Sequence, residues 1–202
     1  MADLFLQIIA GPNGAGKTTL TRRLLDSGVD FGVYINPDDI ARELSGSYQA
    51  RVAQAQVIAD ERRDDCLEAK RSFSFETVMS HPSKVEFLAR AKAAGFFVQL
   101  FFVGTDDPRT NVDRVALRVA LGGHDVPQDR IVARWHRTMA LLHRAMAISD
   151  RSFIFDNSAS GPNITAPRLV LEANVANGVV TLRERGPVPD WIRRFAIAPL
   201  AT

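Results

Sequence analysis

The sequence predicts an α/β fold in three layers, with a mostly parallel central sheet between helices and a C-terminal β-hairpin. Three observations predict it. Short apolar runs rich in β-formers alternate with amphipathic helical stretches over residues 4–158. The glycine-rich stretch "GPNGAGKTT" (11–19) follows the first apolar run and opens a helix. Beyond residue 160, two extended runs flank Asn177-Gly178, a hairpin signal.

Each element follows from its own residues. The first strand is "LFLQIIA" (4–10), and a helix from Lys17 to about Ser27 ends at Gly28. "VYINPDD" (33–39) is a short strand whose end is marked by Pro37, followed by the helix "IARELSG", stopped by Gly46. A long helix is expected from roughly Ala50 to Lys70, and "SFSFETV" (72–78) is the third strand. "VEFLARAKAAG" is a helix closed by Gly95, feeding the strand "FFVQLFFVG" (96–104). "DDPRTNVDRVALRVALGG" has an Asp cap, a proline in the first turn and a Gly-Gly stop. The helix within "DVPQDRIVARWHRTMALLHRAMAISD" has an Asp-x-Pro start, and "SFIFDNS" (152–158) is the next strand. The sequence assigns no role to the tail after Gly186, with Pro187, Pro189 and Trp191.

Composition bounds the function. The 202 residues, 46% hydrophobic and 24% charged, suit one globular domain over 1–160 with the segment 161–202 packed on it. A net charge of +2 does not call for nucleic acid, although the pI near 9.0 leaves it open. A single cysteine, Cys66, excludes an intrachain disulfide and a Cys-rich metal site. No apolar run approaches the roughly 18–20 residues of a membrane span. "MADLFLQIIAGP" lacks the basic flank of a signal peptide, so the protein is expected to be cytoplasmic.

The loop carries G-x-x-x-x-G-K-[ST] as Gly11, Gly16, Lys17 and Thr18. A nucleotide triphosphate is a dense polyanion, and glycines let backbone N–H groups turn inward while the following helix contributes its positive dipole end. Gly11, Pro12, Asn13, Gly14, Ala15, Gly16, Lys17, Thr18 and Thr19 are therefore the nucleotide-binding residues, with Lys17 on the outer phosphates and Thr18 on Mg²⁺. This is the P-loop NTPase fold.

Ligands of an open parallel sheet bind beyond the carboxyl ends of its strands. "INPDD" places Asp38 or Asp39 there, and "FETV" places Glu76 and Thr77. A carboxylate beside an acceptor hydroxyl can take its proton as the γ-phosphoryl moves. The competing role for the aspartates is helix capping, and for Glu76 an ion pair within the fold. "FFVQLFFVGTDD" is the nearest approach to a Walker B strand, but Gly104 and Thr105 intervene and Asp106 and Asp107 read as caps. That points away from a motor or switch and towards small-molecule kinase architecture. Arg114 and Arg118 share one helical face, and Arg130, Arg134 and Arg137 recur on the next helix across a turn carrying His124. Arg118 and Arg134 are the candidates to stabilise the transferring group, while Arg130, Arg144 and Arg151 read as a solvated basic face. No aromatic series interleaves with this patch, which argues against RNA.

With these residues in view, the chain resembles the zeta toxin family and its small kinase-like relatives. The pieces that carry the likeness are "GPNGAGKTT", "INPDDIAREL", "SFSFETV", the run from "AKAAGFFVQL" to "RIVARWHR", and "FIFDNS", in family order over roughly residues 4 to 160. The resemblance implies a P-loop kinase using ATP (or GTP) and Mg²⁺, with a small-molecule acceptor such as UDP-N-acetylglucosamine and an antitoxin partner. By motif it makes Asp38 the base, gives Glu76 a role in organising acceptor and metal, and puts Arg118 at the phosphates. Two departures stand out. Where the family has a further arginine this chain has "GGHDVP", so His124 or Arg134 takes its place, and the acceptor threonine is spaced differently from Thr77 in "ETV". Three readings follow: a kinase, a nucleotide-binding module neutralised by an antitoxin, or a simple ATPase.

Overall fold

The computed structural model describes residues 4–123, 125–159 and 166–201. Its strands are β1 (Phe5–Ala10), β2 (Val33–Ile35), β3 (Phe73–Thr77), β4 (Phe97–Gly104), β5 (Arg151–Asp156), β6 (Arg168–Ala176) and β7 (Val179–Glu184). They form one seven-stranded sheet in the order β2-β3-β1-β4-β5-β6-β7. The first five pair in parallel, and β6 and β7 extend the same sheet antiparallel to β5. β1 lies between β3 and β4, so successive connections leave it in opposite directions and a crevice opens at its carboxyl end.

Alternation along the strands divides the core in two. Leu6, Ile8, Phe73, Phe75, Leu100, Phe102 and Ile154 face α3 (Tyr48–Glu68), α4 (Pro82–Ala93) and α6 (Gln128–Ile148). Ile9, Phe101, Val103 and Phe155 face α1 (Lys17–Asp26). Fully burying such side chains contributes about 1.5–3 kcal/mol each. α2 (Pro37–Glu43) packs on α3, and α5 (Pro108–Ala120) on α6. Among the described residues no helix is long and apolar enough to cross a membrane.

The starts of α2, α3 and α6 differ from those expected from the sequence, and that of α5 agrees. Pro37 does not close the second strand but occupies the first turn of α2, with Asn36 as N-cap accepting from the Asp38 amide at 3.0 Å. Asp38 and Asp39 thus lie in the first turn of a helix rather than on a strand end. Ser47 starts α3 two residues early by accepting from Ala50 N–H at 3.3 Å, and Asp107 caps α5 by accepting from Arg109 N–H at 2.8 Å. The Asp-x-Pro start expected for α6 is replaced by Pro127 at the cap, with no side-chain bond.

The tail packs on the sheet and on α6. Trp191 is 4% exposed, packs on Phe102, and donates its indole N–H to Asp156 Oδ1 at 2.9 Å. A Cβ on Gly104 would sit 2.7 Å from the Trp191 ring, so the glycine that interrupts the Walker B pattern makes room for the indole. The expected cost of Trp191→Ala is about 3–5 kcal/mol, read by urea unfolding. Leu182→Ala, at a site 39% exposed on β7, should change stability by less than about 0.5 kcal/mol.

Candidate active site

The phosphate loop is shaped by three glycines at positive φ: Gly11 (152°), Gly14 (75°) and Gly16 (103°). Space forbids side chains there as firmly as the backbone does. A Cβ would lie 2.1 Å from Val103 O at Gly11, 2.6 Å from Asn111 O at Gly14, and 2.6 Å from Asn157 Nδ2 at Gly16. α1 begins at Lys17 behind Gly16 without a side-chain cap, leaving its first-turn N–H groups for an anion. Thr18 and Thr19 are exposed at this end, and Ala15 is buried beneath it.

Two asparagines hold the loop from behind. Asn111 donates to Asn13 O at 2.6 Å and accepts from the Thr105 hydroxyl, which accepts in turn from Trp135 Nε1 at 3.3 Å. Asn157 donates to Ala15 O at 2.8 Å. Both asparagines are buried, and their partners lie 98 and 142 residues away in sequence, which is why no local pattern revealed them. The loop's buried carbonyls need such donors, and buried Asn in apolar surroundings was the one available signal.

Lys17 folds back over this loop, donating to Gly11 O at 2.9 Å and Pro12 O at 3.1 Å. Loss of solvation pulls its ammonium from 10.5 to about 8, opposed by the Glu76 and Asp38 carboxylates and helped by the Arg118 and Arg134 guanidiniums. Charges from β3, α2, α5 and α6 therefore all act on one ammonium. Arg134 also reaches Asn13 Oδ1 at 3.4 Å.

Register explains Glu76. It pairs with Ile9 on β1, two residues before the loop, and points to the α1 side of the sheet. There its Oε1 accepts from Thr21 at 2.6 Å and from Tyr34 at 2.9 Å, so its partners are hydroxyls and not the ion pair weighed from sequence. The carboxylate raises the Tyr34 phenol well above its usual range, after burial. Thr77 turns away from this side: its hydroxyl accepts from Met79 N–H at 3.1 Å and its carbonyl from Gly11 N–H at 3.3 Å.

The two aspartates separate. Asp39 is ion-paired with Arg42, whereas the Asp38 side chain is exposed and accepts no hydrogen bond among the described residues. Arg114, on the face shared with Arg118, is committed to the fold, donating to Asn157 O at 2.9 Å and Ala159 O at 2.6 Å. His124 lies outside the described residues. Among the described residues no cluster of three or more His, Cys, Asp or Glu side chains forms a metal cage. A hydroxyl at Thr18 and a carboxylate at Glu76 are hard oxygen donors of the kind Mg²⁺ takes when phosphates complete its shell.

Comparison with known proteins agrees with this architecture. The PezAT chromosomal toxin–antitoxin structure of Streptococcus pneumoniae superposes with a TM-score of 0.59 at 15% identity, over 98% of this chain and 80% of that one. A complex of AvrRxo1-ORF1 and ORF2 with ATP gives a TM-score of 0.61 at 15% identity, over 89% of this chain but only 60% of its own. These likenesses are of fold. An uncharacterized protein of Haemophilus influenzae is 27% identical over 129 residues, 62% of this chain and 88% of its own length. The sequence profile of the zeta toxin family matches residues 5–159, from the strand that feeds the phosphate loop to the residues beyond Asn157 that Arg114 holds, and the chain belongs to that family.

Proposed function

We propose that this protein is a small-molecule kinase that transfers the γ-phosphoryl group of ATP (or GTP) to a hydroxyl. The observation that carries the reading is the glycine loop with Lys17 folded onto Gly11 O and Pro12 O, beside Glu76 on β3 and the exposed Asp38 in the first turn of α2. Asp38, exposed there without an ion pair among the described residues, is a carboxylate able to take the proton of an acceptor hydroxyl. The AvrRxo1 complex solved with ATP supports the choice of donor.

In this reading the loop N–H groups and Lys17 hold the β- and γ-phosphates, and Thr18 and Glu76 would hold a Mg²⁺ that would supply charge neutralisation there. Arg118 and Arg134 stabilise the phosphoryl group in flight. Asp38 accepts the acceptor's proton as its oxygen bonds to phosphorus and the bridging oxygen departs with the nucleoside diphosphate. The acceptor class proposed is a nucleotide sugar such as UDP-N-acetylglucosamine, on the strength of family membership. An antitoxin is the proposed protein partner, supported by the toxin–antitoxin system to which the Streptococcus pneumoniae relative in fold belongs.

Two outcomes are expected. Asp38→Asn should lower transfer from labelled ATP to a nucleotide-sugar panel by about 10²–10⁴-fold, with ATP affinity by calorimetry unchanged; equal loss of both would refute the assignment. Lys17 should make ATP binding pH-dependent. Below pH 8 the ammonium is already charged and affinity is highest. Above its free value of about 8, binding must take up a proton, because phosphate favours the charged form. Affinity should therefore fall by up to about tenfold per pH unit, with proton uptake visible as a buffer-dependent binding enthalpy near pH 9.

A further inference from the structure

Glu76 Oε1 holds two hydroxyl donors, while Oε2 accepts no hydrogen bond among the described residues. The direction of these bonds is not arbitrary. An ionised carboxylate only accepts, so Tyr34 must spend its single proton on Glu76. The Tyr34 oxygen can then only accept from the other side, where Asn36 Nδ2 stands 3.4 Å away. With its amide nitrogen turned to Tyr34, Asn36 presents Oδ1 to the Asp38 N–H, the 3.0 Å cap bond that starts α2. Three consecutive hydrogen bonds of one sense thus run from the backbone of Asp38 through Asn36 and Tyr34 to Glu76. On the other side of Glu76, Thr21 fastens it to α1, one turn beyond Lys17.

We infer that Tyr34 is a positioning residue that holds Asp38, the acceptor-side base, in register with the phosphate loop by relaying the orientation of Glu76 through Asn36. The relay is a matter of geometry. Its consequence for turnover rests on the kinase reading. Tyr34 is half-buried, and its ring packs at a tilt against Phe31 with centroids 5.6 Å apart. Tyr34→Phe therefore keeps the packing and deletes only the hydroxyl. Without it Asn36 Nδ2 loses its acceptor, and the Oδ1 cap on Asp38 N–H is held by its own bond alone.

The test has two arms. In the free protein, amide exchange by NMR should accelerate about five- to tenfold at Asp38 in Tyr34→Phe, with no change at Leu100 in the central sheet. Asn36→Asp, which keeps a cap acceptor and loses the amide donor, should leave Asp38 protected. In the catalytic arm, Tyr34→Phe should lower kcat for phosphoryl transfer about tenfold at unchanged ATP affinity measured in EDTA, and lower the ratio of transfer to hydrolysis. A merely structural role for the hydroxyl would lower the melting temperature without moving that ratio. Unchanged exchange at Asp38 overturns the relay, and accelerated exchange with unchanged kcat overturns its role in positioning the base. If the wild-type protein transfers phosphate to no acceptor, the kinase reading fails by itself, and the exchange arm alone decides the relay.

Discussion

The closeness of the phosphate loop to the strand beside it sets the terms for the whole site. At Gly11 the chain runs so near β4 that a Cβ would meet Val103 O at 2.1 Å, and at Gly14 and Gly16 it lies against α5 and the end of β5 almost as tightly. Backbone packed this closely can aim its N–H groups but must have its own carbonyls answered. Asn111 and Asn157 answer two of them, and Lys17 two more. The loop is consequently shaped before any ligand arrives, and a polyanion entering it displaces Lys17 from carbonyl oxygens rather than ordering a mobile segment.

Electrostatics follows from that packing. Lys17 is drawn out of water among two further cations, and the carboxylates of Glu76 and Asp38 only partly compensate. A site in this condition favours a ligand that brings negative charge, since phosphate relieves both the desolvation of the ammonium and the repulsion between it and the arginines. The same carboxylates would repel a phosphate placed on their own side. In the kinase reading Asp38 therefore marks the α2 side for a neutral, proton-bearing group.

Much of this was legible in the sequence. Alternation and turn residues gave the order and type of the strands and the major helices, and the glycine-lysine spacing located the loop. What periodicity could not reach were single polar side chains whose partners are distant in the chain. Thr21 and Tyr34 meet at Glu76 from 55 and 42 residues away. Asn36 was read within a strand because Pro37 breaks β-pairing, yet proline also suits a first helical turn, and only the amide-to-amide cap decides between them. Trp191 carried no signal because what it fills, the space above Gly104, exists only after β4 and β5 have paired. The family resemblance already pointed to Asp38 over Asp39, and the ion pair between Asp39 and Arg42, one turn along the same helix, was the part that periodicity did not give.

The C-terminal hairpin has a consequence for how the chain can be divided. The family region ends at residue 159, but β6 pairs with β5 along its length, from Arg151–Asn174 to Asp156–Arg168. A chain cut at that boundary would turn β5, "RSFIFD", from an interior strand into an open edge, with a row of unpaired backbone groups beside Phe153, Ile154 and Phe155. Such an edge is a template for other chains. Self-association of a shortened protein would then report a bare strand, because the boundary of the family region is not the boundary of the sheet.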